Sequence, residues 1–403
     1  MRRWLVLFAL VLPTWATAAP GETLKLEIVL IRHGVRSPTS APEALGKYST
    51  DPWPAWPVAP GVLTDHGAQG MQSLGQLYRE RYASRGLWSG DCANASQIRI
   101  IADSTPRNRA SAMALGKGLG GECSLGYDAR PNGENNRLFH AGAHDGDDAG
   151  TVASIDFPPA FGQLQGLLLG CTGDACWRRA LAQGRKLLIK GDQATALKTA
   201  GSLSENLMLE YAQGMPLSSV AWGRADAQAI GELITLHNLQ FAVSKKALPA
   251  AQQGGSNLLA HIAATLQAVS GQTPEVQSLA DGDQRVIVLL GHDTNLAHVA
   301  GLLGVDWHDA RQPDDYPPGG ALIFDLYQQR GRYSIQVHAW MPTLDSLRQA
   351  RVDATTMIDT RLAFGDCKAT DACPLNAFIR WVDSRIARDA VDKATPELVH
   401  QRD

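Results

Sequence analysis

The chain has 403 residues, 44% of them hydrophobic and 19% charged, with a formal net charge of −3 at pH 7. That is enough for one large or two ordinary domains around a sizeable core. No long basic run occurs, which argues against nucleic acid or an anionic membrane as partner, so any attraction for an anionic ligand must be local.

Met1-Arg2-Arg3 is a basic start, residues 4–12 are a short apolar stretch, and Ala16-Thr17-Ala18 is an A-x-A cleavage pattern. Residues 1–18 therefore read as a secretory signal peptide, too short for a membrane span. No other stretch is apolar enough to cross a bilayer. The mature chain is expected to be periplasmic or secreted and off the membrane. Six cysteines allow fifteen pairings. Cys171 with Cys176 and Cys367 with Cys373 each flank a short polar loop, which leaves Cys92 with Cys123. An even count in an exported chain favours three disulfides, and no CxxC pair suggests zinc.

Residues 24–31 read as a buried strand that runs into Arg32-His33-Gly34-Val35-Arg36-Ser37-Pro38. Gly34 permits an unusual backbone angle and Pro38 stops any regular element. Ligands of open α/β sheets bind at the carboxyl ends of strands. Two guanidiniums are fixed forks for an oxyanion, and a histidine between them can act as a nucleophile. A histidine beside one arginine is usually a solvated loop residue. Two arginines, a glycine and a proline directly after an apolar strand are a more specific arrangement.

Residues 39–61, rich in Pro and Trp, are expected to form a loop that packs its indoles against the sheet edge or the site. A helix follows, with Thr64 as N-cap and Leu74, Leu77, Tyr78 and Tyr82 as its inner stripe. His66 belongs to its capping turn or the surface. Residues 97–102 form a second buried strand, after which Thr105 and Pro106 start a helix reaching Leu119. Arg107 and Arg109 fall in its first turn, where the helix dipole disfavours cations and suits an anion. That local conflict hints at function. Residues two apart point different ways, and periodicity does not choose between them. Residues 131–150, with His140, His144 and Asp145-Gly146-Asp147-Asp148, fit calcium and zinc templates poorly and read as a solvated loop.

Residues 154–269 read as helical, with stretches at 181–200, 202–212, 226–244 and 258–269 that form an insertion capping the sheet. Residues 286–290 are a third buried strand. Gly291 turns the chain, and Thr294 or Asn295 caps a helix over 296–303. His292 and Asp293 thus come to the same sheet edge as His33. His298 lies nearby but is expected to point away, and no clustered carboxylates complete a metal site. Residues 321–326 and 333–340 are strands joined around 328–331, and 375–391 is a terminal helix.

Arg32-His33-Gly34-Val35-Arg36-Ser37-Pro38-Thr39 resembles the signature of the histidine acid phosphatases, nearest their bacterial periplasmic branch of phytases and glucose-1-phosphatases. Gly291-His292-Asp293-Thr294-Asn295 resembles their second signature. Leu63-Thr64-Asp65-His66-Gly67, Gln213-Gly214-Met215 with Trp222-Gly223-Arg224, and Leu236-His237-Asn238 with Gln240-Phe241 extend the likeness, which runs from Leu26 to about Ile379. The resemblance implies an α/β fold, a mixed sheet flanked by helices. Residues 19–150 and 271–403 would form the catalytic domain and 151–270 an inserted α-helical domain. It implies phosphomonoester hydrolysis in which His33 attacks phosphorus and Asp293 protonates the leaving oxygen. Arg32, Arg36, Arg107 and His292 would bind the phosphate, which selects Arg107 over Arg109. Thr39, Glu205 and His237 would belong to the substrate pocket. An unperturbed aspartate titrates near pH ~4, so acid-range activity is expected.

The three disulfides match positions the branch uses, while a further pair of its phytases is absent. Phytases of the branch carry a lysine where Ser40 stands and an acidic residue where Thr105 stands, so a preference for phytate is not implied. No cofactor or metal, a small phosphomonoester as substrate, and a monomer are expected. A mutase of the same superfamily, which would share the Arg32-His33-Gly34 start but lack its metabolic partners outside the cell, a metal-dependent phosphohydrolase and a periplasmic binding protein for phosphorylated solutes are the rival readings. The binding protein needs neither His33 nor Asp293.

Overall fold

A computed structural model describes residues 21–140, 156–189 and 192–402. The signal-peptide reading of 1–18, and His144 with Asp145 to Asp148, lie outside the described residues. In chain order the strands are β1 (Thr23–Arg32), β2 (Ile98–Ala102), β3 (Tyr127–Ala129), β4 (Val286–Gly291), β5 (Ala321–Gln329), β6 (Arg332–Pro342), β7 (Met357–Arg361), β8 (Cys373–Pro374) and β9 (Val399–Gln401). The helices are α1 (Pro42–Leu45), α2 (Asp65–Ser84), α3 (Pro106–Gly120), α4 (Pro159–Leu169), α5 (Asp174–Ala182), α6 (Gln193–Ala212), α7 (Ala227–Phe241), α8 (Leu248–Val269), α9 (Asp293–Leu303), α10 (Leu344–Arg348) and α11 (Leu375–Arg385).

β1 is apolar along both faces, which a strand can afford only in the middle of a covered sheet. It lies there: the sheet order is β7-β6-β5-β1-β4-β2-β3-β9, with β8 beside β6. β1, β4, β2 and β3 run parallel, and β5, β6 and β7 continue antiparallel from β1. Leu26, Ile28 and Leu30 pack under α8, α9 and α11 through Leu258, Ile262, Val299 and Phe378. Val29 and Ile31 pack on the other face with Met71, Leu74 and Tyr78 of α2 and Leu115 of α3. Register then decides where the site is. Arg32 pairs with Gly291 and Ala102 with Leu290, so the chain leaves β1, β2 and β4 at one level of one edge.

The structure revises several sequence expectations. Gly34 has no left-handed backbone; a Cβ there would lie 2.7 Å from Met71 and 2.8 Å from the Gly67 carbonyl. Its role is close approach. The loop after Thr39 contains α1, and Trp53 packs neither on the sheet edge nor in the site. It joins the core of α4, α6 and α7 and meets Trp222 edge-on at 5.0 Å between centroids. The continuous helix expected over 181–200 is interrupted: Gly184 takes φ 75°, and Asp192 caps α6 by accepting from the Thr195 N–H. α8 begins earlier than expected, with Pro249 in its first turn, and its Leu258, Leu259, Ile262 and Leu266 belong to the sheet core. His298 does point away from the sheet edge, into the gap left by Gly254 and Gly255 of α8. All three disulfides form as paired above, with Cα separations of 5.2, 5.8 and 5.4 Å.

Glu210 on α6 is completely buried. Its Oε2 accepts from the Ala221 N–H at 2.8 Å, in a turn where Ala221 and Trp222 hold φ of 49° and 59°. Burial pushes this carboxyl up to about 8, against the Ala221 hydrogen bond. The folded chain then keeps a proton that the unfolded chain releases above its ordinary value of 4.5, so stability falls as pH rises from there to about 8. Glu210→Gln is predicted to melt with the wild type at pH 4 and several degrees above it at pH 8. Equal melting temperatures at pH 8 would contradict this.

Candidate active site

Arg32 is the last residue of β1, and its side chain is wholly buried. Its Nη2 pairs with Glu205 of α6 and lies 2.8 Å from Asp293 Oδ2; its Nη1 donates to the Tyr316 carbonyl at 2.5 Å and lies 3.5 Å from Asp314 Oδ2. Burial works against its charge, but Asp293, Glu205 and Asp314 outweigh it and hold the guanidinium protonated. Arg36 donates through Nη2 to both Glu205 oxygens, at 3.2 and 3.1 Å, and through Nη1 to the Ser37 carbonyl. Glu205 therefore spans the two arginines that flank His33.

His33 is buried, with Nδ1 2.9 Å from the Gly34 carbonyl. A carbonyl only accepts, so Nδ1 carries the proton and Nε2 keeps its lone pair. Burial first, then the charges of Arg107, Arg32 and Arg36, hold this imidazole well below its usual titration range. The loop around it is clamped: the Gly34 N–H donates to Ser111 Oγ of α3 at 3.1 Å, and a Cβ on Gly67 would lie 2.0 Å from the Val35 carbonyl oxygen.

Arg107 reaches the same place from the first turn of α3, with Nη2 3.2 Å from His292 Nδ1. Burial and the like charges of Arg36 and Arg32 push its pKa down from the ordinary value, against Asp293 and Asp103. A bound anion relieves that repulsion. Arg109 points elsewhere, donating to the Arg130 carbonyl and Gln401 beside the Tyr127 ring. His292 caps α9, and its own N–H donates to Asn295 Oδ1 at 2.9 Å. Its Nε2 lies 2.9 Å from Asp103 Oδ2 and its ring meets that of His33 edge-on at 5.6 Å. Asp293 begins α9, with Oδ1 accepting from the Thr294 N–H. Burial alone would raise this carboxyl; Arg32, His237 and Arg36 hold it well below the usual carboxylate range. His237 of α7 is buried, its Nδ1 3.5 Å from Asp314 Oδ1. Thr39 is exposed and outside this set of contacts.

Sequence reasoning missed Asp103, Asp314, the Tyr316 carbonyl and the inward position of His140. Asp103 is fully buried; burial would raise it, but hydrogen bonds from His140 and His292 hold it far below the carboxylate range. His140, expected in a solvated loop, places Nε2 3.2 Å from Asp103 Oδ1. Asp103 directly follows a buried strand, as His33 and His292 nearly do, and that shared position was a usable signal. Asp314 had none. Among the described residues two groups of donors converge within 4.8 Å, Asp103-His140-His292 and Glu205-His237-Asp293. A guanidinium already stands against each, Arg107 at His292 and Arg32 at Asp293.

The assembled edge offers a neutral imidazole nitrogen beside three guanidiniums, with a carboxylate opposite. Such a site can bind a tetrahedral oxyanion and attack its centre. Comparison with known proteins points the same way. Residues 23–339 match the family model of the histidine phosphatase superfamily (branch 2). Phytase AppA of Escherichia coli (strain K12) is 30% identical over 92% of this chain and 94% of its own length. The glucose-1-phosphatase of Providencia rettgeri is 24% identical over 94% of each. A solved structure of Hafnia alvei phytase in complex with tartrate matches with a TM-score of 0.76 and 28% identity, over 93% of this chain and 100% of that one.

Glu205 competes with any anion for Arg32 and Arg36. Glu205→Gln is predicted to tighten binding of inorganic phosphate by about fivefold, the weight of one nearby partly screened charge. Calorimetric titration at pH 5 measures this, and unchanged or weaker binding would contradict the reading of Glu205 as a competing anion.

Proposed function

This chain belongs to the histidine phosphatase superfamily, branch 2, and is a histidine acid phosphatase acting on phosphomonoesters; from that premise we propose that it turns over through a phosphohistidine on His33. The observation that carries this is the tautomer of His33. With Nδ1 tied to the Gly34 carbonyl and three guanidiniums nearby, the ring stays neutral deep into the acid range, and its free Nε2 can attack.

Arg32, Arg36 and Arg107 hold the phosphoryl oxygens and offset charge as it spreads over them in the transition state. His292, held through Asp103, adds a fourth contact. As the bond from His33 Nε2 to phosphorus forms, the ester oxygen leaves and takes a proton from Asp293. Water then attacks the phosphohistidine while the Asp293 carboxylate takes a proton from that water, the bond from His33 Nε2 to phosphorus breaks, and inorganic phosphate departs. Substrate charge shares Arg32 with Asp293, which lifts the carboxyl toward a range where it can carry a proton. These steps use no metal, since the guanidiniums do the cation's work.

The substrate is a small sugar or polyol phosphate. Arg32 and Arg36 already meet Glu205, Asp293 and Asp314, which leaves Arg107 as the guanidinium outside those pairs, so the pocket holds charge for one phosphoryl group and little surplus for more. Ser40 and Thr105 add no charge beside it. The signal-like residues 1–18 and three disulfides support export to an oxidising compartment.

The test is phosphate release from phytate, glucose 1-phosphate and an aryl phosphate at acid pH with EDTA present. Chelator-resistant activity is predicted, with His33→Ala at least ~1000-fold slower. Loss of activity with EDTA would point to a metal-dependent enzyme, and phosphate binding without turnover to a binding protein.

A further inference from the structure

The mechanism leaves one proton unaccounted for. A general acid must carry a proton before the ester oxygen leaves, yet both Asp293 oxygens are acceptors in this structure. Oδ2 lies 2.8 Å from Arg32 and Oδ1 accepts from the Thr294 N–H at 2.7 Å. Such a carboxylate is ionised at rest. Guanidiniums do not give up protons. An imidazole can, and His237 is one that faces Asp293.

His237 is 2% exposed, and its ring lies 4.2 Å from that of Phe241. Carboxylates face it from three elements: Glu205 from α6, Asp293 from the start of α9, and Asp314 with its neighbour Asp315 from the loop before β5. One donor atom each of His237, Glu205 and Asp293 lie within 4.8 Å of one another, and Nδ1 is 3.5 Å from Asp314 Oδ1. Arg32 meets Glu205, Asp293 and Asp314, and Arg36 meets Glu205. Burial opposes a charge on the ring, but Asp314, Glu205 and Asp293 prevail and raise it above its ordinary value.

We propose that His237 is the proton store from which Asp293 is charged for each turnover. The proposal rests on the phosphohistidine reading above and deepens it. When the substrate dianion reaches Arg32 and Arg36, their pull on Asp293 weakens, and a proton passes from His237 to Asp293 over a gap that one water can bridge. The N–P bond then forms at His33 and the P–O bond breaks. Its electron pair goes to the leaving oxygen, which takes the Asp293 proton. In the second half-reaction the Asp293 carboxylate takes a proton from the attacking water as the N–P bond breaks, and that proton returns to His237. The cycle restores both groups and consumes one water. His237 acts through Asp293 and is a positioning residue for the proton.

Leaving groups separate this role from simple packing. 4-Nitrophenolate departs without a proton, whereas an alkoxide needs one. His237→Gln is predicted to lower kcat/KM for glycerol 2-phosphate at least about tenfold more than kcat/KM for 4-nitrophenyl phosphate, a conservative part of the roughly 10²–10⁴-fold that general acid catalysis contributes. Asp314→Asn keeps the ring but removes its partner. It is predicted to move the alkaline limb of the glycerol 2-phosphate profile to lower pH by more than any shift in the nitrophenyl profile, since loss of its contact with Arg32 acts on both esters alike; that difference survives as a readout if His237→Gln does not fold. Equal losses on the two esters, or undiminished glycerol 2-phosphate turnover, would overturn the proposal while His33→Ala remained inactive. An active His33→Ala would overturn the phosphohistidine reading, and this proposal with it.

Discussion

Arg32 carries a charge it cannot shed, and it is buried completely at the end of the central strand. A lone buried guanidinium is strongly destabilising, so the fold must bring it partners. They come from three elements: Glu205 from α6, Asp293 from the start of α9, and Asp314 with the Tyr316 carbonyl from the loop before β5. α6, which packs in the helical core away from the sheet, is thereby tied to the sheet edge by charge. The same contacts aim the guanidinium before any substrate arrives, which is the preorganisation that electrostatic catalysis requires.

α2 holds the His33 loop from behind. Its C-terminal half is anchored in a second buried ion cluster, where Arg81 lies 3.2 Å from Glu27 of β1 and Arg85 lies 2.6 Å from Asp325 of β5. Its N-terminal half presses Gly67 and Met71 against Val35 and Gly34. Any side chain at Gly67 would displace the Val35 backbone and, through it, His33. The nucleophile is thus placed by backbone contact, while its tautomer and neutrality follow from one carbonyl and the surrounding charge.

Much of this was legible in the sequence because it depends on local patterns. Continuous apolar runs gave β1, β2 and β4, and turn residues marked where each stops. Three strands ending at one edge brought His33, His292, Asp293 and Arg107 together as expected. What was not legible depends on pairing across the chain. Nothing local says that Asp314 must meet Arg32, or that His140 turns inward to Asp103. Local signals also misled where tertiary contact overrode them. Gly34 was read as a backbone-angle residue and serves close packing. Trp53 was placed near the site and serves the helical core. The helix over 181–200 ignored Gly184 and the cap at Asp192.

The central claim is that the phosphoryl group rests on His33 during turnover. Mixing enzyme with an aryl phosphate, quenching within milliseconds in alkali and mapping the phosphorylated peptide by mass spectrometry tests it most directly. The account predicts one acid-labile, alkali-stable phosphate, on the peptide containing His33. Phosphate on another residue, or full turnover with no phosphoenzyme at any quench time, would contradict it.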